Sequence, residues 1–149
     1  MPSLRWTCQT FPQLSADELY AILRLRAEVF VVEQDCVYQD VDNNDQQALH
    51  LLGRHAAELA CYARLLSPGL KYTGASIGRV VTAPAARGTG LGRELMVQAL
   101  GQCEQRWPDA EVTISAQHHL AKFYASLGFE TVSEPYMEDG IPHIAMTRR

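Results

Sequence analysis

The run RGTGLGR, from Arg87 to Arg93, holds the residues of this chain best suited to chemistry: three glycines at alternate positions, closed at each end by an arginine. Gly88, Gly90 and Gly92 carry no Cβ, so the loop can reach positive φ and its amides can approach a ligand closely. A β-branched stretch, Ser76 to Thr82, precedes the loop, and Leu91, Leu95, Met96, Ala99, Leu100 and Cys103 follow at helical spacing. The glycines are therefore the hinge of a strand-loop-helix unit, with unbonded N–H groups and a positive helix end facing outward. Such a place binds an anion, and Arg87 and Arg93 add charge where a pyrophosphate would lie. A P-loop needs Gly-Lys-Ser/Thr, but Arg93 and Glu94 follow Gly92. A dinucleotide fingerprint needs G-x-G-x-x-G and an acid after the next strand; here the spacing is G-x-G-x-G and the strand ends in Gln117. What remains is R-x-x-G-x-G, filled by Arg87, Gly90 and Gly92.

The elements around this loop alternate in kind. Leu4 to Gln9 reads as a strand, and the Ser15/Glu18 capping box opens a helix from about Asp17 to Phe30. Val31 to Gln47 loses periodicity and reads as a loop or broken short helix. Ala48 to His55 and Leu59 to Leu66 form two strands of a hairpin or meander. After the Ser76 strand, the glycine loop and the helix to about Arg106, Glu111 to Gln117 is a strand and Ala121 to Leu127 a short helix stopped by Gly128. Phe129 to Met137 and Ile141 to Thr147 are strands around Asp139-Gly140, a type I′ hairpin signal. The order β-α-loop-β-β-β-α-β-α-β-β predicts a single α/β domain with a mixed, mostly antiparallel sheet and a central β-α-β crossover.

The 149 residues carry a net charge of −4, with Arg and Lys scattered, so neither nucleic acid nor any other polyanion is an expected partner. No apolar run approaches a membrane span, and the start lacks a secretory h-region; the expectation is a soluble cytoplasmic protein. A homodimer stays open. Cys8, Cys61 and Cys103 fall at core positions, whereas Cys36 lies in a polar, acidic segment where an exposed thiol stays open, with nothing beside it to make it a nucleophile. The cysteines are too far apart for a zinc site, so no metal is expected. His50 and His55 read as structural or surface residues, while His118 and His119 flank the end of the Gln117 strand. His143 begins the last strand; if that strand runs antiparallel to the one ending in Gln117, the two residues meet.

The element order, the R-x-x-G-x-G loop and the later Phe123-Tyr124-Ala-Ser-Leu-Gly128-Phe129 together resemble the GCN5-related N-acetyltransferase (GNAT) family across nearly the whole chain. VFVVEQDCVYQDVDNND, AQHHLAKFYASLGF and YMEDGIPHIAM are similar to its ElaA-like branch. The resemblance implies a splay between the fourth and fifth strands that takes acetyl-coenzyme A, with pyrophosphate on the amides of Gly88, Thr89, Gly90, Leu91, Gly92 and Arg93. It implies pantetheine along Val80, Val81 and Thr82, with the Val81 amide on the thioester carbonyl, and Gln117 facing the coenzyme. Tyr124 matches the family's proton donor to the leaving thiolate. No Ser-His-Asp or Cys-His grouping stands out, which agrees with direct attack by an amine. Between Ala27 and Gly53 there is no Lys or Arg but six acids, Glu28, Glu33, Asp35, Asp40, Asp42 and Asp45, a field favouring a cationic acceptor. For the base, an imidazole near its usual ~6.5 suits neutral pH better than a carboxylate, which favours His143 over Glu33 and leaves Glu33 to bind the acceptor. The competing readings are a coenzyme-A-binding regulatory module without turnover and a nucleotide-binding protein.

Overall fold

A computed structural model describes residues 3–149. Alternating strands at the start build the sheet: β1 (Arg5–Thr10), β2 (Leu49–His55), β3 (Glu58–Leu66) and β4 (Ala75–Thr82) pair antiparallel in succession. β5 (Val112–Gln117) joins β4 in parallel, and β8 (Ile141–Arg148) lies antiparallel to β5. β8 then carries both β6 (Glu130–Thr131) and β7 (Tyr136–Glu138). The sequence reading of one strand from Phe129 to Met137 is thus corrected to two short ones, interrupted around Pro135, which has no N–H to give a ladder.

Helices cover both faces. α1 (Ala16–Arg26) starts at the expected capping box, with the Glu18 N–H donating to Ser15 Oγ at 3.1 Å and the Ser15 N–H donating to Glu18 Oε1 at 2.8 Å. Its Ile22 and Leu25, with Val29 beyond its end, pack on Leu52, Tyr62 and Val81. On the other face, α2 (Leu91–Arg106) and α3 (Ala121–Ala125) bury Leu91, Leu95, Met96, Ala99 and Tyr124 against Ile77, Ile114, Ala116 and Phe129. Cys61 and Cys103 are buried there, which pushes their thiols up to about 12; Cys8 is half-buried at the margin. Asp139 and Gly140 both have positive φ, 51° and 78°, as a type I′ turn requires.

Two irregularities open the sheet. The helix expected to run to Phe30 changes to wider π turns over Ala27–Glu33, with Gln34 N–H donating to Val29 O and Cys36 N–H to Val31 O. In β4 the register with β3 slips, and Arg79 takes φ 49°, a left-handed conformation that costs a non-glycine residue roughly 1–2 kcal/mol. Past that bulge β4 and β5 part: only Ala75↔Val112 and Ser76↔Thr113 remain paired.

A buried ion cluster braces the bulge. Arg26, fully buried, donates to Asp40 Oδ2 at 2.9 Å and Asp45 Oδ1 at 2.7 Å. Arg64 holds Asp42 and Asp45, and Arg79 holds Asp40 and Asp42. The expectation that Asp40 and Asp42 present a bare acidic field to an acceptor is therefore corrected: their charge is spent on arginines from α1, β3 and β4. Beside the cluster, buried His50 bridges Tyr62 Oη at 2.6 Å and the Asp45 carbonyl at 2.9 Å, the structural role expected of it.

Candidate active site

The splay between β4 and β5 is a cleft of about 480 Å³. At one end stands the glycine loop. Gly88 and Gly90 have φ of 81° and 78°, and a Cβ built on Gly88, Gly90 or Gly92 would meet nothing within 4 Å. The space before the loop is free for a ligand, and α2 begins immediately after Gly90, so its first N–H groups face that space. Because Gly90 is left-handed, any side chain there strains the backbone; Gly92 is helical and open, so it is the cleaner position to probe. Gly92→Val should leave the melting temperature within a few degrees and weaken coenzyme A binding at least tenfold, read by titration; unchanged affinity in the folded variant would remove the loop from the binding site.

The arginines of the loop are held by protein groups. Arg87 makes a two-pronged pair with Glu33, at 2.6 and 3.0 Å, and Arg93 donates to Ser126 Oγ at 2.6 Å while lying over the Phe123 ring. Glu33 is not among the residues that line the cleft. Its hydrogen bonds from Arg87 hold its carboxyl below the usual carboxylate range, the reverse of what a base needs, and Val31 and Val32 do not bury it. Glu33, expected to bind the acceptor or to serve as base, is here paired with Arg87. If a pyrophosphate competes with it for that guanidinium, Glu33→Gln should tighten coenzyme A binding severalfold and Arg87→Gln should weaken it; equal affinities in all three proteins would show that Arg87 makes no phosphate contact.

Backbone parity decides which amides face the gap. Ala83 N–H donates to Ala60 O, so the antiparallel ladder turns the Val81 N–H toward Tyr62 and leaves those of Val80 and Thr82 pointing into the splay. The Val81 amide, expected on the thioester carbonyl, is thus directed at Tyr62 by the ladder, and the Val81 side chain packs under α1.

Across the gap, α3 presents Tyr124. Edge contacts with Phe123 and Phe129, at centroid distances of 5.1 and 6.0 Å, hold its ring, and its hydroxyl has no hydrogen-bond partner among the described residues. Burial raises its pKa, so the hydroxyl keeps its proton at neutral pH.

Register brings the last strand to the cleft as anticipated: Gln117 pairs with His143. The two-residue turn then sets Tyr136 opposite His143 and Glu138 opposite Ile141. His143 donates from Nδ1 to the Ile141 carbonyl at 2.7 Å, stacks on Tyr136 and places Nε2 3.4 Å from Glu138 Oε2. Ser115, on the same face of β5 as Gln117, bonds Tyr136 Oη and donates to Glu138 Oε1 at 3.3 Å. Lys71, from the loop before β4, lines the same cleft. Sequence reasoning singled out neither Ser115, Tyr136, Glu138 nor Lys71; counting back from Asp139-Gly140 would have found Glu138 and Tyr136. His118 and His119 are exposed and outside the cleft lining, and Cys36 is buried rather than exposed, its thiol donating to the Asp139 carbonyl at 3.1 Å. Among the described residues no cluster of His, Cys, Asp or Glu could hold a metal ion, and no helix is long and apolar enough to cross a membrane.

Residues 12–149 match the family model for the acetyltransferase (GNAT) domain. The chain belongs to the GNAT family. It is 46% identical over 147 residues to ElaA of Escherichia coli, covering 97% of this chain and 96% of that one. The crystal structure of that ElaA superposes with a TM-score of 0.93 at 44% identity, covering 98% of this chain and 99% of that one. An acyl-CoA N-acyltransferase from Pseudomonas aeruginosa superposes with a TM-score of 0.95 at 49% identity, over 99% of this chain and all of that one. The splayed α/β sheet is thus the acyl-CoA N-acyltransferase fold. The residues fit an acyl-CoA: unfilled space before Gly88, Gly90 and Gly92, two arginines, and Val80 and Thr82, whose amides the ladder's parity turns toward the splay.

Proposed function

We propose that this GNAT protein is an N-acetyltransferase that moves an acetyl group from acetyl-coenzyme A to a primary amine by direct attack, with both substrates bound and no acyl-enzyme. Gly88 to Arg93 and Arg87 would hold the pyrophosphate, and Val80 and Thr82 the pantetheine. The coenzyme supplies the acetyl group already activated as a thioester. What carries the reading is that one opening holds two groups for the two proton transfers: a phenol that stays protonated, Tyr124, and an imidazole fixed with Nε2 as its acceptor, His143. His143 Nε2 takes a proton from the acceptor's ammonium, freeing the nitrogen lone pair. The new C–N bond forms, the C–S bond breaks and Tyr124 gives its proton to the departing sulfur, while the second proton shed by the new amide nitrogen returns the phenolate to phenol through solvent. Glu138, held by Ser115 and close to Nε2, stabilises the imidazolium that results. Four free cysteines support a reducing, cytoplasmic setting.

The test is kcat/KM against pH for wild type, His143→Gln and Glu33→Gln. The acidic limb should vanish in His143→Gln, with a fall of roughly 10²- to 10⁴-fold on the plateau, and persist in Glu33→Gln. A limb that survives in His143→Gln would assign the proton to another group or to water.

A further inference from the structure

The acceptor side of the cleft holds two opposite charges that the fold keeps apart. Other charges nearby are spent internally: Arg79 on Asp40 and Asp42, Arg87 on Glu33. Glu138 is different. Its Oε2 faces His143 Nε2 at 3.4 Å, and because Nδ1 donates to the Ile141 carbonyl, a neutral ring turns a lone pair toward that carboxylate. Two acceptors face each other there, and an ammonium donating to both would satisfy them. Lys71 is the second charge. Its ammonium lies 5.4 Å from the Tyr72 centroid and makes no ion pair among the described residues, although it lines the same cleft as Glu138. Lys71 stands exposed at the rim of the cleft, where Arg79 and Arg64 act on it as like charges and Glu138 and Asp42 as more distant opposite ones. Lys71 therefore lacks a close anion.

We propose that Glu138 and Lys71 together select a zwitterionic acceptor, a free amino acid, with its ammonium at Glu138 and His143 and its carboxylate at Lys71. The proposal rests on the acetyl-transfer reading and names its substrate class. A diamine or polyamine would set a second cation against Lys71, and a simple amine would leave Lys71 unpaired. Phe30 and Ile141, in the same lining, offer an apolar wall to a side chain. The balance is that of the transfer above: the amino nitrogen gains the acetyl group, its first proton goes to His143, the thiolate takes one from Tyr124, and the nitrogen's second proton restores the Tyr124 phenol through solvent.

The experiment assays the twenty amino acids, their carboxamides, the corresponding decarboxylated amines and a set of diamines with acetyl-coenzyme A, detecting released thiol and weighing the intact protein afterwards. At least one amino acid should exceed its carboxamide and its decarboxylated amine tenfold or more in kcat/KM. In Lys71→Gln that ratio should fall to near one through KM, and Lys71→Arg should restore it. The same amino acid should raise the melting temperature of the coenzyme-A-bound wild type but not of bound Lys71→Gln. Amines or diamines that match or beat every amino acid would overturn the zwitterion while leaving N-acetyl transfer standing. An acetyl mass on Lys71 itself would overturn it by making Lys71 an acceptor. Coenzyme A binding with no thiol release from any compound would overturn the transfer reading and this proposal with it.

Discussion

Tyr124→Phe should lower kcat by about 10²-fold or more, within the roughly 10²- to 10⁴-fold that a positioned acid supplies, while coenzyme A binds as before. The expectation rests on what holds the ring. Phe123 and Phe129 pack its edges, and no hydrogen bond from the described residues ties its hydroxyl down, so phenylalanine fills the same site with no lost partner and the melting temperature should stay within a degree or two. Burial raises the pKa, so the phenol remains an acid through neutral pH and loses that capacity only at alkaline pH above the ordinary tyrosine value. The basic limb of the wild-type profile should accordingly be absent in Tyr124→Phe. Full kcat in the variant across the pH range would show that water protonates the thiolate and that Tyr124 is a packing residue.

What the sequence made legible was local. Alternation and capping located α1, β2, β3 and the β-α-β crossover, because periodicity and short-range hydrogen bonds determine such elements within a few residues. The Gln117–His143 encounter was legible for a related reason: an antiparallel neighbour and a two-residue turn leave little choice of register. The glycine loop is marked by glycines at positions where φ is positive or the space ahead is free.

What escaped depends on contacts distant in the chain. Nothing near Arg79 announces a left-handed residue, and Gly78 beside it looks the better candidate; the conformation is held by Asp40 and Asp42, 39 and 37 residues earlier. The run from Ala27 to Gly53 looked like an unopposed acidic field because its counter-charges, Arg26, Arg64 and Arg79, lie outside it in sequence and against it in space. Glu33 and Arg87 were each given a ligand when they bind one another, 54 residues apart. Charge counted along a chain says little until pairing is known.

The second large effect is on the brace behind the cleft. Arg26→Met should destabilise the fold by about 3–5 kcal/mol, because removing one partner of a buried ion pair leaves its anions uncompensated. For a chain of this size that is a fall in melting temperature on the order of 10 °C. Burial alone would raise the Asp42 and Asp45 carboxyls, but hydrogen bonds from Arg64 to Asp42, and from Arg26 and Arg64 to Asp45, outweigh it and hold both below the ordinary aspartate value. With folded values lower than unfolded ones, their contribution is complete above about pH 4, the unfolded value, and is lost as pH falls through the folded values. Acid unfolding of Arg26→Met should therefore begin at higher pH than in wild type. The double variant Arg26→Met, Asp45→Asn should recover part of the loss, since it deletes a charge along with its partner. The cluster also fixes Arg79 in the bulge that parts β4 from β5, so coenzyme A affinity should fall in Arg26→Met under conditions where it is still folded. A change in stability of under about 0.5 kcal/mol, with intact affinity, would mean that Arg64 and Arg79 suffice to hold the three aspartates and that the opening of the sheet owes nothing to Arg26.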